Sequence, residues 1–337
     1  MSQSLPEKCC DLIEELGLGR REEVRDVTPL TGGVASDIAA LRVGDTRYCV
    51  KLALPKLKVA ADWRAPVHRN AAEYAWLEVA ARVVPQSAVR LFGRSEHAHG
   101  FVMEFLDGPD VHLWKTAMLE GTRPNGEARA VGDVVGRIHA VSSGDDFDRS
   151  AFRNRDDFRA LRIEPYLIST AGRHPELEAR LHDLADVLYR SDQVLVHGDV
   201  SPKNILMRNG GPVILDAECA TMGDASFDPS FCLNHLVLKA IHLPGMRAAF
   251  LGEIARFWEG YGPHVSWEDP ADLEARVCRL LPALMLARVD GKSPVEYLDE
   301  TRRQQVRALA RPMIVEPVQT LSDLTETLKA RLKDLDA

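Results

Sequence analysis

The chain has no apolar run long enough to cross a membrane. Its best candidate, residues 280–287, falls far short of the roughly 20 residues that a bilayer requires, and Pro282 interrupts it. A basic excess is also missing, because 42 Lys and Arg stand against 50 Asp and Glu for a formal charge of −8. General nucleic-acid binding, which replaces phosphate counterions with basic surface, is therefore not expected. The six cysteines, Cys9, Cys10, Cys49, Cys219, Cys232 and Cys278, are scattered and form no CxxC pair. Neither a zinc site nor a disulfide framework follows from that spacing, and reduced thiols fit it better. Residues 1–8 are polar and lack the basic-then-apolar pattern of a secretory leader. The expectation is a soluble cytoplasmic protein with no membrane or nucleic-acid partner. Internal repeats and low-complexity segments are absent as well. So are GxxxxGK[ST], HExxH and GxSxG, and Gly17-Leu18-Gly19 runs into Arg20-Arg21-Glu22 without the third glycine of a dinucleotide fingerprint.

What is present is an ordinary globular composition, 45% hydrophobic and 27% charged over 337 residues, enough for one large or two cooperating domains. The first part reads as mixed. A short helix is expected at residues 10–16, strands at 24–30, 38–43 and 47–52, a helix at 69–83, and strands at 89–92 and 101–105. Beyond Gly108 the pattern turns helical, with segments expected at 127–141, 175–190, 227–241, 248–261, 271–286 and 321–335. A small β-rich island at 194–196, 205–207 and 213–215 interrupts them. The reading is therefore α+β, with a front lobe over residues 1–106 and a back lobe over 107–337.

The chemistry is written most clearly in Val196-His197-Gly198-Asp199-Val200-Ser201-Pro202-Lys203-Asn204-Ile205-Leu206, followed by Ile214-Leu215-Asp216-Ala217-Glu218. An acid comes first, an asparagine follows five residues later, and a second acid stands at the end of the next strand. Phosphoryl transfer to a hydroxyl needs such a set. One carboxylate orients the attacking hydroxyl and accepts its proton, while an amide oxygen and a second carboxylate hold magnesium against the phosphates. A loop held between short strands keeps these groups in line for the transfer.

These residues resemble the HGDxxxxN and DxE/DxD pair of the aminoglycoside phosphotransferase and choline kinase superfamily. The resemblance implies a two-lobed protein-kinase-like fold, with a small β-rich nucleotide-binding lobe and a larger helical catalytic lobe. It implies Asp199 as catalytic base, and Asn204 and Asp216 as ligands of Mg2+. Glu218 either assists the metal or holds the loop. His197 either braces the loop or takes part in proton transfer. Thr31-Gly32-Gly33-Val34-Ala35-Ser36 resembles the phosphate-covering loop of the same superfamily, with Gly32 and Gly33 letting the backbone approach phosphate and Ser36 adding a donor. Lys51, ending Tyr48-Cys49-Val50-Lys51, takes the place of the lysine that contacts the nucleotide phosphates. Glu73, early in the following helix, is placed to pair with it; a favourable charge near a helix N-terminus is the alternative reading of that residue. Glu104 and Leu106 correspond to the hinge whose main-chain atoms meet adenine.

The resemblance extends from about Leu30 to Leu238 and departs from protein kinases in two ways. Asp216-Ala217-Glu218 replaces DFG, and no Ala-Pro-Glu follows, so a protein substrate is not expected. Ser201 stands where many family members have histidine. Lys203 either touches the transferred phosphate or is a solvated loop lysine. Asp228 is read as the cap of the next helix and a brace for the catalytic loop. On that helix Asn234, His235 and Lys239 face either the substrate or the interior. The function expected is ATP- and Mg2+-dependent phosphorylation of a small hydroxylated molecule. Candidates within the family are aminoglycosides, macrolides, choline-like alcohols, methylthioribose and homoserine. The interleaved acids and arginines at residues 274–276 and 300–303 do not demand a polycationic substrate. A nucleotide-binding regulatory module without turnover is the alternative, and intact Lys51, Asp199, Asn204 and Asp216 argue against it.

Overall fold

The computed structural model describes residues 3–30, 36–54 and 67–335. The chain divides into two compact units, Met1–Pro109 and Asp110–Ala337. The first contains α1 (Leu5–Glu15), β1 (Val24–Pro29), β2 (Ser36–Val43), β3 (Thr46–Ala53), α2 (Arg69–Val83), β4 (Leu91–Ser95) and β5 (Gly100–Glu104). Its strands form one antiparallel sheet in the order β1-β2-β3-β5-β4. The first helix starts earlier than residue 10, because Ser4 and Glu7 close a capping box and Pro6 sits in the first turn. Its Cys9, Leu12 and Ile13 lie on one face and join Val24, Leu41, Tyr48, Val50, Leu52 and Val102 in a buried core. Side chains alternate across a strand. Tyr48, Val50 and Leu52 therefore face that core, while Lys51 points to the other side of the sheet, where it meets α2.

The second unit opens with β6 (Val111–Leu113), α3 (Trp114–Leu119) and α4 (Glu127–Ser142). Next come α5 (Arg155–Phe158), a π-helical stretch Arg159–Ile168, α6 (Ser169–Ala171) and α7 (Glu178–Arg190). Four short strands follow: β7 (Val194–Val196), β8 (Ile205–Arg208), β9 (Gly211–Ile214) and β10 (Thr221–Gly223). They are succeeded by α8 (Phe227–His242), α9 (Arg247–Tyr261), α10 (Pro270–Asp290), α11 (Glu300–Val315) and α12 (Leu321–Leu335). Strand β7 pairs with β10, and β6, β8 and β9 form a second small antiparallel sheet. No helix among the described residues is long and apolar enough to cross a membrane.

Several of these elements were not expected: β6, α3, the π-helical stretch, β10 and α11. The 89–92 strand sits at Leu91–Ser95, and 175–190 divides into a tight turn and α7. Helix α10 continues through Pro282. Helix α8 is buried from Phe227 to Ile241 on every face, so its polar side chains Asp228, His235 and Lys239 lie inside the protein.

Helices α4 and α9 meet backbone to backbone. A Cβ on Gly132 would lie 2.2 Å from the Phe257 carbonyl oxygen, and one on Gly260 would lie 2.1 Å from that of Arg129. Neither neighbour is a flexible side chain, so the helices would have to separate. Gly260→Ala is expected to cost about 3 kcal/mol. Gly252→Ala, on the same helix with open space around it, is expected to be neutral or to stabilise by about 0.5–1 kcal/mol. Urea unfolding of the two variants separates these outcomes. Equal midpoints would contradict the close packing.

Candidate active site

The segment from His197 to Asn204 links β7 to β8 and is held from below by α8. The Asp228 carboxylate accepts from the His197 N–H at 2.7 Å and from the Gly198 N–H at 2.9 Å. Asp228 is itself met by His139 Nε2 at 3.3 Å, and His139 Nδ1 lies 2.9 Å from the Tyr261 hydroxyl. The brace expected of Asp228 is present, but the cap is not. Ser226 holds the cap position, Asp228 lies in the first turn, and its oxygens face the loop instead of the helix end. Asp224 does the local work there, accepting from the Ser226 N–H at 2.9 Å. Gly198 has φ +82°, and a Cβ on it would fall 2.9 Å from Cys219 Cβ, so glycine is required on both counts.

His197 is buried and its Nδ1 accepts from the Asp199 N–H at 3.1 Å. Burial pushes its pKa down, which favours a neutral ring whose geometry is that of a brace.

Asp199 is 4% exposed, yet it is not short of partners. Its Oδ2 lies 3.0 Å from Arg162 Nη2 and 3.1 Å from Lys203 Nζ, and its Oδ1 accepts from the Ser201 hydroxyl at 2.9 Å. Burial pushes the carboxyl pKa up, but the Lys203 and Arg162 charges outweigh it and hold the group far below the usual carboxylate range. Sequence reasoning missed Arg162. It stands on the π-helical stretch, where its Nε also donates to the Gly198 carbonyl and its Nη1 to that of Leu161 at 2.8 Å. One guanidinium thus fixes both the carboxylate and the backbone next to it.

Asn204 closes the loop from the other end. Its Nδ2 donates to the Asp199 carbonyl at 3.1 Å, and its own carbonyl accepts from the Leu215 N–H at 2.9 Å. That second bond ties the asparagine to the residue before Asp216. Asp216 has φ +70°, a left-handed conformation that costs a non-glycine residue energy and is found where surroundings force it. Glu218 lies half-buried two residues on. The Asn204 Oδ1 and the carboxylates of Asp216 and Glu218 are the oxygens on offer along this stretch. These are hard donors of the kind magnesium takes. Among the described residues no cluster of three or more His, Cys, Asp or Glu side chains is arranged to hold a metal.

In the first unit Lys51 Nζ lies 2.7 Å from Glu73 Oε1, with the side chains 3% and 2% exposed. Ser36 begins β2, is buried and pairs in register with Ala53. Glu104 ends β5, its N–H donating to the Arg90 carbonyl at 2.8 Å, and half-buried Leu106 lies two residues beyond. Gly32 and Gly33 lie outside the described residues. Of the three α8 side chains singled out earlier, Asn234 turns to its own helix and donates to the Ser230 and Phe231 carbonyls. His235 and Lys239 instead line a small pocket with Lys203.

Residues 26–268 match the phosphotransferase enzyme family. Among curated proteins, the methylthioribose kinase of Erwinia tasmaniensis is 22% identical over 254 residues, covering 65% of this chain and 63% of that protein. A methylthioribose kinase of Klebsiella pneumoniae is 25% identical over 232 residues, covering 60% of this chain and 57% of that one. The chain therefore spans less than two thirds of the length of these relatives. Among solved structures, an amicoumacin kinase in complex with AMP-PNP and Ca2+ superposes with a TM-score of 0.54 at 17% identity, covering 93% of this chain and 96% of that one. The choline kinase of Streptococcus pneumoniae gives 0.50 at 14% identity, covering 99% of both chains. These likenesses show the fold, which is α+β and protein-kinase-like. The match over residues 26–268 shows the kinship: the chain belongs to the phosphotransferase enzyme family.

Proposed function

We propose that the protein transfers the γ-phosphoryl group of ATP to a hydroxyl of a small molecule. The observation that carries this reading is the Asp199 loop, where a buried, ionised carboxylate is fixed by Arg162, Lys203 and Ser201 and its main chain is tied to Asn204. In the transfer, the acceptor oxygen bonds to the γ-phosphorus, the bond from that phosphorus to the β–γ bridging oxygen breaks, and ADP leaves. Asp199 Oδ orients the acceptor hydroxyl and takes its proton as the new bond forms. A carboxylate held so far below its usual pKa is a weak base in the ground state. It suits a loose transition state, in which the proton moves late and orientation matters more than basicity.

Asn204 Oδ1 and Asp216, with Glu218 beside them in the chain, would hold Mg2+, and the bound ion would neutralise charge building up on the phosphates. Lys51 contacts the nucleotide phosphates and Glu73 orients it. Ser36 gives a further donor, and main-chain atoms of Glu104 and Leu106 meet the adenine edge. The Asp228–His139–Tyr261 chain keeps the loop backbone in place without touching the reacting atoms.

The test is a coupled ADP-release assay with ATP and magnesium across amino alcohols, sugars, hydroxy acids, aminoglycosides and macrolides. Release stimulated by an acceptor and lost in Asp216→Ala is the expected result. Tight ATP binding with no release for any acceptor would favour a binding module and overturn the proposal.

A further inference from the structure

A small pocket beside the catalytic loop is more basic than its burial should allow. It lies within the second unit and is bounded by Lys115, Lys203, His235, Lys239, Arg288, Glu296 and Tyr297, with a volume of about 50 Å3. Lys203 forms one wall and bonds Asp199 at 3.1 Å, so the pocket adjoins the carboxylate that would receive the acceptor hydroxyl. Two of its cations have carboxylate partners within the protein: Lys203 has Asp199, and Lys115 has Glu296. The other two do not. Among the described residues Lys239 forms no ion pair: its ammonium lies 5.1 Å from the centroid of the Tyr297 ring, and the Glu296 carboxylate, bonded to Lys115, acts on it only from beyond contact. Arg288 donates through Nη1 to Ser293 and to the Tyr166 hydroxyl at 3.2 Å, while its Nε and the Tyr297 hydroxyl are buried with no partner among the described residues.

Buried charges are paired, and buried donors are bonded, unless something outside the chain completes them. Here an uncompensated ammonium, an unfinished guanidinium and an unbonded phenol converge on one space. Burial, with the neighbouring Lys115 and Arg288 charges, drags the Lys239 pKa down to about 7, as expected of a cation lacking its counter-ion. The space is also of a defined size. A water needs roughly 10–15 Å3 of such volume, so about 50 Å3 admits a group of a few non-hydrogen atoms, the size of a carboxylate.

We propose that this pocket seats a carboxylate of the acceptor, so that the molecule phosphorylated is a hydroxy acid and not an amino alcohol or an aminoglycoside. The inference rests on the phosphotransfer reading, which it deepens by naming the substrate class. Lys239 and Arg288 would bind the carboxylate, the Tyr297 hydroxyl would donate to it, and the hydroxyl to be phosphorylated would extend past Lys203 to Asp199.

The experiment pairs each hydroxy acid, glycerate, malate and gluconate among them, with its neutral amide, a phosphate-bearing analogue and a cationic amino alcohol. ADP release and, separately, calorimetric binding are measured for wild type, Lys239→Met and Lys239→Arg. The acids are expected to be preferred, and Lys239→Met to raise their KM about 100-fold, with partial recovery in Lys239→Arg. Lys239→Met should also raise the Tm, because it removes an uncompensated buried charge and keeps the volume. A lysine retained for structure alone would not give that opposition of stability and KM. Binding of the acids without any transfer would leave the carboxylate pocket standing and bring down the kinase reading. Transfer to neutral, cationic or phosphate-bearing acceptors in preference to the acids, or a KM unmoved by Lys239→Met, would overturn the pocket while leaving the kinase reading intact. Failure to bind any acid would also overturn it.

Discussion

Asp199→Asn is expected to lower kcat by about 10^3-fold while the protein stays folded. Asparagine is the informative substitution because it keeps an oxygen for Arg162 Nη2, which the Gly198 and Leu161 carbonyls, bonded to Nε and Nη1, do not reach. Lys203, about half exposed at 49%, turns to water at little cost. The expected loss of stability is therefore about 1–3 kcal/mol, the scale of one altered buried hydrogen bond. The pH dependence has a definite sign. The folded Asp199 carboxyl lies below its unfolded value of about 3.9, so the stability it contributes is fully present above that value. That contribution is lost progressively as the pH falls below the unfolded value, and is gone only below the folded-state value. Urea midpoints measured from pH 7 down to pH 3 should fall more steeply for wild type than for Asp199→Asn. In the same range kcat should show no acid limb from Asp199. Full activity in the asparagine variant would remove Asp199 from the chemistry.

The second large effect concerns stability and activity together. Lys51 and Glu73 form a buried pair at 2.7 Å. Removing one partner leaves a charge with little water around it, and Glu73→Ala is expected to cost about 3–5 kcal/mol. Replacing both, as Lys51→Met with Glu73→Leu, should recover most of that loss, because neither charge remains to be desolvated. Activity should behave differently. Lys51→Met, alone or in the double variant, is expected to lower kcat/KM for ATP by about 10^2–10^3-fold, the loss typical of one donor to a reacting phosphate or oxyanion. A double variant that is stable and inactive shows a pair kept for nucleotide binding. A double variant that is stable and active would reduce it to a structural contact.

Much of the fold was legible because its strands and longer helices are regular. The alternation in residues 47–52 gave β3, and it also put Lys51 on the face opposite Tyr48, Val50 and Leu52. The 127–141, 227–241 and 248–261 segments carry enough apolar residues for their helices to be read directly. Where the reading failed, a local rule was overridden. No helix was expected over residues 159–168, where Pro165 disfavours a regular α-helix, and the chain accommodates that proline in a rare π-helical stretch. Helix α11 was likewise not expected, although Val306, Leu309, Ala310, Met313 and Ile314 form a helical stripe, and it carries Pro312 near its end. The capping box at Ser4 and Glu7 was overlooked and would have set the start of α1.

The site divides in the same way. Asp199, Asn204 and Asp216 are close in sequence, so their spacing alone betrays them. Arg162 reaches Asp199 from 37 positions away, on the very stretch whose helix was not foreseen. Arg288 and Tyr297 come to the pocket beside Lys203 from a helix and a loop far down the chain, and no spacing rule connects them. The charge of the whole chain carries no information on this point. A net −8 is compatible with a cationic substrate, yet the pocket beside the catalytic loop is basic. Local electrostatics decide what binds there.

The most direct measurement follows the phosphorus itself. ATP labelled in its γ-phosphate is incubated with magnesium, a panel of hydroxy acids and the purified protein, and the products are separated. The panel also includes amino alcohols, sugars, aminoglycosides and macrolides, and the label is expected in a phosphorylated acceptor, at a rate about 10^3-fold lower with Asp199→Asn. Label found only in inorganic phosphate across the whole panel, or transferred equally by wild type and Asp199→Asn, would contradict phosphoryl transfer at this loop.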